Sequence, residues 1–179
     1  MKNIILTGMR GSGKSTLGKL LAAKLGKDFI DLDDYIEKSA SGKIAELVRE
    51  HGWDHFRELE KKAAQEMAQK DNLVIATGGG TFLDPENTSN LKKNGFVILL
   101  TADIEKLAER IEFDENRPPL TDHKDLIAEL KQLWKQRKEI YLGCADLTYD
   151  TSQDLDPTSK VDELMELIAL HPACMRWKE

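Results

Sequence analysis

Ile4-Ile5-Leu6-Thr7-Gly8-Met9-Arg10-Gly11-Ser12-Gly13-Lys14-Ser15 carries the chain from an apolar run through a glycine-rich loop into a leucine-patterned segment. Residues 8–15 match G-x-x-x-x-G-K-[ST], with a strand pattern before and a helix pattern after, which is the context that gives the motif its meaning. Glycines let the backbone wrap closely round phosphate oxygens, while successive N–H groups and a helix N-terminus supply positive potential. Lys14 is placed to reach the outer phosphates and Ser15 to ligate magnesium. Gly11, Ser12, Gly13 and Thr16 complete the expected nucleotide cradle. The ligand this predicts is a nucleoside triphosphate. GTPases, motors and small kinases all use such a cradle. No Asn-Lys-x-Asp stretch for guanine is present, and 179 residues is short for a motor with coupled domains. A small kinase is the economical reading.

Working outward, residues 16–25 carry leucines at 17, 20, 21 and 25, and Gly26 is placed to end that helix in the left-handed region. Apolar runs at 4–6, 73–76 and 96–100 lack polar alternation, as strands buried on both faces do. Further strands are predicted over 28–33 and 146–149. Asp84-Pro85 and Asp156-Pro157 read as cap and first-turn pairs of two helices. Strand, loop and helix recur about five times, which predicts an α/β fold with a mainly parallel sheet, right-handed crossovers and ligands at the strands' carboxyl ends. Two stretches interrupt the rhythm: a helical one over 34–70 and a polar one over 112–124. They are expected to form a substrate flap and a lid within a single domain spanning 1–179.

Composition limits the partners. With 40% hydrophobic and 32% charged residues the chain is of ordinary globular type, and a net charge of -6 argues against general binding to nucleic acid or a membrane surface. No run approaches the roughly 18 apolar residues of a membrane span. Two distant cysteines, Cys144 and Cys174, suggest neither a disulfide framework nor a zinc site. A cytoplasmic location is expected. His51, His55, His123 and His171 show no metal-ligand spacing and read as surface or helix residues.

Other clusters carry chemistry. In Asp31-Leu32-Asp33-Asp34 the first and third residues would share one side of a strand. Paired carboxylates there can hold a magnesium-bound water and accept a hydrogen bond from an attacking hydroxyl. Capping of the next helix is the competing use, and Asp34 is a candidate for it. Gly78-Gly79-Gly80 follows a strand and would weaken any regular element, so close backbone approach to a ligand or a tight turn must explain it. Arg117-Pro118-Pro119 makes a stiffened cationic loop, suited to closing over a nucleotide.

Taken in order, residues 8–15, Asp31-Leu32-Asp33, Phe56-Arg57 with Glu60, Gly78-Gly79-Gly80, Arg117-Pro118, and Arg137 followed by Tyr141 resemble shikimate kinases over nearly the full length. The resemblance implies a nucleoside monophosphate kinase-like P-loop fold: three layers, a five-stranded parallel sheet, a substrate-binding insertion at about 33–61 and a lid at about 112–124. It also implies transfer of the γ-phosphoryl group of ATP to the 3-hydroxyl of shikimate. Carried over by position, Asp33, Arg57, Gly79 and Arg137 would contact shikimate, Ser15 and Asp31 would serve Mg2+, and Lys14 and Arg117 would meet phosphates. Lys14, Asp33 and Arg117 would be the catalytic groups, and Gln153 a candidate adenine contact. A monomer is expected. Guanidinium groups suit a planar carboxylate better than lysine does, and Glu60, on the same helical face as Arg57, can hold that fork in place. The rival readings are another small-metabolite kinase, such as a gluconate or nucleoside monophosphate kinase, and a nucleotide-dependent regulator without turnover. Product formation separates them.

Overall fold

The structure, a computed structural model, describes residues 2–111 and 125–175. Five parallel strands make one sheet in the order β2-β3-β1-β4-β5. They are β1 (Asn3–Thr7), β2 (Asp28–Asp31), β3 (Leu73–Ala76), β4 (Gly95–Thr101) and β5 (Leu147–Asp150). β1 lies centrally, pairing β3 on one side and β4 on the other. The chain leaves β1 toward β2 and later returns to β4 on the opposite flank. The carboxyl end of β1 therefore stands where the winding direction reverses, the position at which open α/β sheets bind ligands.

Side-chain alternation divides the core into layers. Ile4 and Leu6 of β1 and Phe96, Ile98 and Leu100 of β4 pack against α1 (Lys14–Leu25) and α7 (Pro157–Leu170). On the other face Ile5, Ile75 and Val97 meet α2 (Leu32–Ala40), α3 (Ile44–Ala68) and α4 (Pro85–Lys93). Leu99 meets α5 (Ile104–Ile111) and α6 (Leu126–Cys144). A short α8 (Pro172–Met175) follows α7. Continuous apolar runs in β1, β3 and β4 reflect this burial from both sides.

The helix ends follow their signals. Gly26 closes α1 at φ 63°, and Asp84 and Asp156 each accept two backbone N–H bonds at the starts of α4 and α7. Two expectations shift. β2 stops at Asp31, where the strand was expected to reach residue 33, and Leu32 already begins α2. The 34–70 stretch is two helices, broken at Ser41, which takes a left-handed conformation, and kinked at Gly52, whose φ of 83° no helix allows.

Candidate active site

The phosphate loop owes its shape to three glycines of positive φ: Gly8, Gly11 and Gly13. At Gly8 a Cβ would lie 2.2 Å from the Leu100 carbonyl, so β1 and β4 leave no room for a side chain. Asp31, Asp84, Asp125 and Asp156 each cap a helix through a carboxylate, but α1 begins at Gly13 with no side-chain cap. Its first-turn N–H groups are thus left to an external acceptor, which is how a helix start receives an anion. Lys14 bends back over the loop, its Nζ donating to the Gly8 and Met9 carbonyls at 3.1 and 2.9 Å. Ser12 is buried, while Ser15 and Thr16 are exposed on the first turn.

The Ser15 hydroxyl donates to Asp31 Oδ2 at 2.5 Å. The other oxygen of Asp31 accepts the Asp33 N–H at 3.1 Å, so Asp31 is the N-cap of α2. Asp34, the residue considered for that cap, sits exposed in the first turn. Strand periodicity is therefore not what relates the two aspartates. Asp31 ends the strand, and the helical turn swings Asp33 inward, where it is 6% exposed. Ser15 and Asp31 together offer hard oxygen donors at the mouth of the loop. They fit Mg2+, which takes one or two protein oxygens and completes its shell with water and phosphate.

Each glycine after β3 faces one group of the expected acceptor site. A Cβ on Gly78 would stand 2.8 Å from Asp33 Oδ1 and 2.9 Å from Glu60 Oε1. One on Gly79 would lie 3.6 Å from the Gly8 carbonyl and 3.7 Å from Arg137 Nη1, and one on Gly80 would fall 2.6 Å from Arg57 Nη1. None of the three has positive φ. Gly79 and Gly80 lie in a turn closed by the Thr81 N–H on the Gly78 carbonyl at 3.3 Å, as the tight-turn reading expects, and a Cβ at Gly78 or Gly80 would also meet a carboxylate or a guanidinium.

Arg57 is held from several directions. It pairs with Glu60, which is 1% exposed and also accepts the Thr81 hydroxyl at 2.7 Å. Its guanidinium lies 5.5 Å from the Trp53 ring centre and 5.2 Å from that of Phe56, within cation–π range. Burial pushes the Glu60 carboxyl above its ordinary range, against the opposing pull of Arg57 and Thr81. Arg137 Nη1 donates to the Gly79 carbonyl at 3.1 Å, and the buried Tyr141 hydroxyl donates to the same oxygen at 2.5 Å. Burial raises the Tyr141 phenol, which keeps it a donor.

Asp33, Arg57, Gly79 and Arg137 thus gather along one loop, and Gly79 joins that loop to the phosphate loop through Gly8. Gln153 lies exposed in the bend after β5. Arg117 and the expected lid lie outside the described residues. Sequence reasoning missed Thr81, Arg110 and Lys160. Arg110 donates to Gly11 and to Thr151, and Lys160 donates to Thr151 from α7. No local pattern announces such contacts, because their partners lie far off in sequence.

A family model described as shikimate kinase matches residues 10–169. A shikimate kinase of Persephonella marina is 43% identical over 165 residues, covering 92% of this chain and 98% of that protein. One from Pelotomaculum thermopropionicum is 40% identical over 172 residues, covering 96% and 98%. Among solved structures, a shikimate kinase from Acinetobacter baumannii in complex with shikimate is similar at TM-score 0.89 and 33% identity, covering 94% of this chain and 93% of that one. Likeness along nearly the whole length, in sequence and in backbone alike, makes this chain a member of the shikimate kinase family.

Proposed function

We propose that the chain transfers the γ-phosphoryl group of ATP to the 3-hydroxyl of shikimate, with Asp33 facing the reacting hydroxyl while Arg57 and Arg137 hold the carboxylate. The observation that carries this division is the glycine loop. Gly78, Gly79 and Gly80 each meet one of these side chains, and Gly79 also approaches the phosphate loop at Gly8. Acceptor and donor sites therefore share a wall.

The chemistry fits the residue types. A planar carboxylate matches the guanidinium fork, and two arginines neutralise it from separate elements, α3 and α6. Asp33 accepts a hydrogen bond from the attacking hydroxyl and takes its proton as the new O–P bond forms and the bond to ADP breaks. Lys14 offsets charge on the transferring phosphoryl group, and Arg117 does so from the lid at about 112–124. Ser15 and Asp31 would hold Mg2+, which when bound supplies further charge neutralisation at the phosphates. Gln153 is the proposed adenine contact. The insertion at about 33–61 carries Asp33 and Arg57 in a single kinase domain. The proposed form of the enzyme is a monomer. A cytoplasmic location accords with two buried, unbridged cysteines, and among the described residues no helix is long and apolar enough to cross a membrane.

The test is ADP release measured side by side with shikimate, gluconate and nucleoside monophosphates as acceptors. Turnover with shikimate far above the others is expected. Equal or greater turnover with gluconate or a nucleotide would overturn the assignment.

A further inference from the structure

Thr151 follows β5 and is 1% exposed, yet it is among the most heavily bonded residues in the molecule. Its N–H donates to the Thr101 carbonyl at 2.8 Å, which fixes it to the end of β4. Its own carbonyl receives Arg110 Nη2 at 2.8 Å and Lys160 Nζ at 3.0 Å. Its hydroxyl oxygen accepts from Arg110 Nη1 at 3.0 Å, and the hydroxyl proton is shared between Thr101 O at 3.0 Å and Ser12 O at 3.3 Å. Arg110 Nη1 also reaches the Gly11 carbonyl at 3.2 Å. Two consecutive carbonyls of the phosphate loop, those of Gly11 and Ser12, are therefore gripped from behind by one Arg110–Thr151 pair.

That grip has a direction. In a trans peptide the C=O and the following N–H point opposite ways. Fixing Ser12 O toward Thr151 turns the Gly13 N–H to the open side of the loop, where the uncapped start of α1 also points its N–H groups. A cradle whose dipoles are already aimed need not reorganise when an anion arrives. Bonding from Arg110 polarises the Thr151 hydroxyl and makes it a better donor. Lys160 is 9% exposed, and burial lowers its ammonium from the ordinary value, with Arg110 adding to the effect. Lys160 thus holds the Thr151 carbonyl from α7.

We propose that Thr151 is a positioning residue for the phosphate loop, pre-aiming its N–H groups at the nucleotide phosphates, with Arg110 and Lys160 holding Thr151 in place. The inference rests on reading residues 8–15 as the ATP cradle and does not depend on the identity of the acceptor.

The experiment compares Thr151→Val, which keeps shape and removes the hydroxyl, with Thr151→Ser, which restores it. ADP binding is measured by calorimetry without acceptor, and KM for ATP and for shikimate by steady-state kinetics. Thr151→Val should weaken ADP binding and raise the ATP KM by about fivefold, the scale of one hydrogen bond, with the shikimate KM held within about twofold. Thr151→Ser should stay within about twofold of the unaltered protein in all three. ADP affinity unchanged in Thr151→Val, or lost equally in Thr151→Ser, would overturn the proposal. If Thr151→Val does not fold, Lys160→Met decides in its place: a weaker ADP affinity with unchanged shikimate KM supports the role, and unaltered ADP affinity refutes it. Failure of the unaltered protein to phosphorylate shikimate would overturn the proposed function and leave this test intact.

Discussion

The Glu60 carboxylate lies buried one helical turn from Arg57, paired with that guanidinium on one oxygen and with the Thr81 hydroxyl on the other. Desolvation is the larger influence on it and outweighs the attraction of Arg57, so its folded pKa stands above the ordinary 4.5. A raised carboxyl pKa means that the folded chain binds the proton more tightly than the unfolded chain. The stability this gives is fully present below 4.5 and is lost as pH rises toward the folded value.

Glu60→Gln removes the titration while keeping the shape. Thermal unfolding of both proteins, followed from about pH 4 to about pH 7, should show the Tm of the parent falling relative to the variant as pH rises. A relative rise over that window would mean that the ion pair outweighs burial. The variant should also raise the shikimate KM, since an Arg57 without its carboxylate partner is free to leave the acceptor.

Gly79 and Gly80 are expected to respond differently to a methyl group. At Gly80 the added Cβ would stand 2.6–2.8 Å from three atoms of the Arg57 guanidinium, the far end of a flexible side chain. Arg57 gives way, so Gly80→Ala should fold and raise the shikimate KM by about tenfold, the loss of one charge-assisted hydrogen bond. At Gly79 the nearest atom would be 3.6 Å away, an ordinary contact. Gly79→Ala should therefore unfold within about 2 °C of the parent while losing acceptor affinity. A Gly79→Ala variant with normal shikimate KM would remove Gly79 from the acceptor site.

How much of this was legible in the sequence depended on the range of each interaction. The helix start after Gly13 and the caps Gly26, Asp84 and Asp156 each depend on one loop or one turn, so local pattern found them. The end of β2 was missed because Asp31 serves as the helix cap, which a strand reading of 28–33 does not see. What a Cβ at Gly78 or Gly80 would meet was hidden for a different cause: Asp33 and Arg57 reach them from α2 and α3, and only tertiary packing reveals that the space is taken. Thr151 was visible merely as part of a segment near the expected adenine contact. Its bonds to Ser12 and Arg110 span 139 and 41 residues, beyond the reach of any periodicity.

The sharpest test of the active site separates the hydroxyl from the carboxylate of the acceptor. Asp33 is 6% exposed and stands against Gly78, whereas Arg57 and Arg137 stand against Gly80 and Gly79. Asp33→Asn keeps the shape but loses the negative charge proposed to orient and deprotonate the hydroxyl, so kcat should fall by about 10² or more. Arg57→Lys and Arg137→Lys keep a positive charge but lose the planar fork, so the shikimate KM should rise more than kcat falls. Nucleotide binding should persist in all three, because the proposed phosphate cradle is the separate loop of Gly11, Gly13 and Lys14. Steady-state kinetics with ATP and shikimate varied separately, together with ADP binding measured without acceptor, distinguishes these effects. Normal turnover by Asp33→Asn would remove Asp33 from the reacting hydroxyl. Arginine variants that lost ADP binding while keeping the shikimate KM would move Arg57 and Arg137 to the nucleotide.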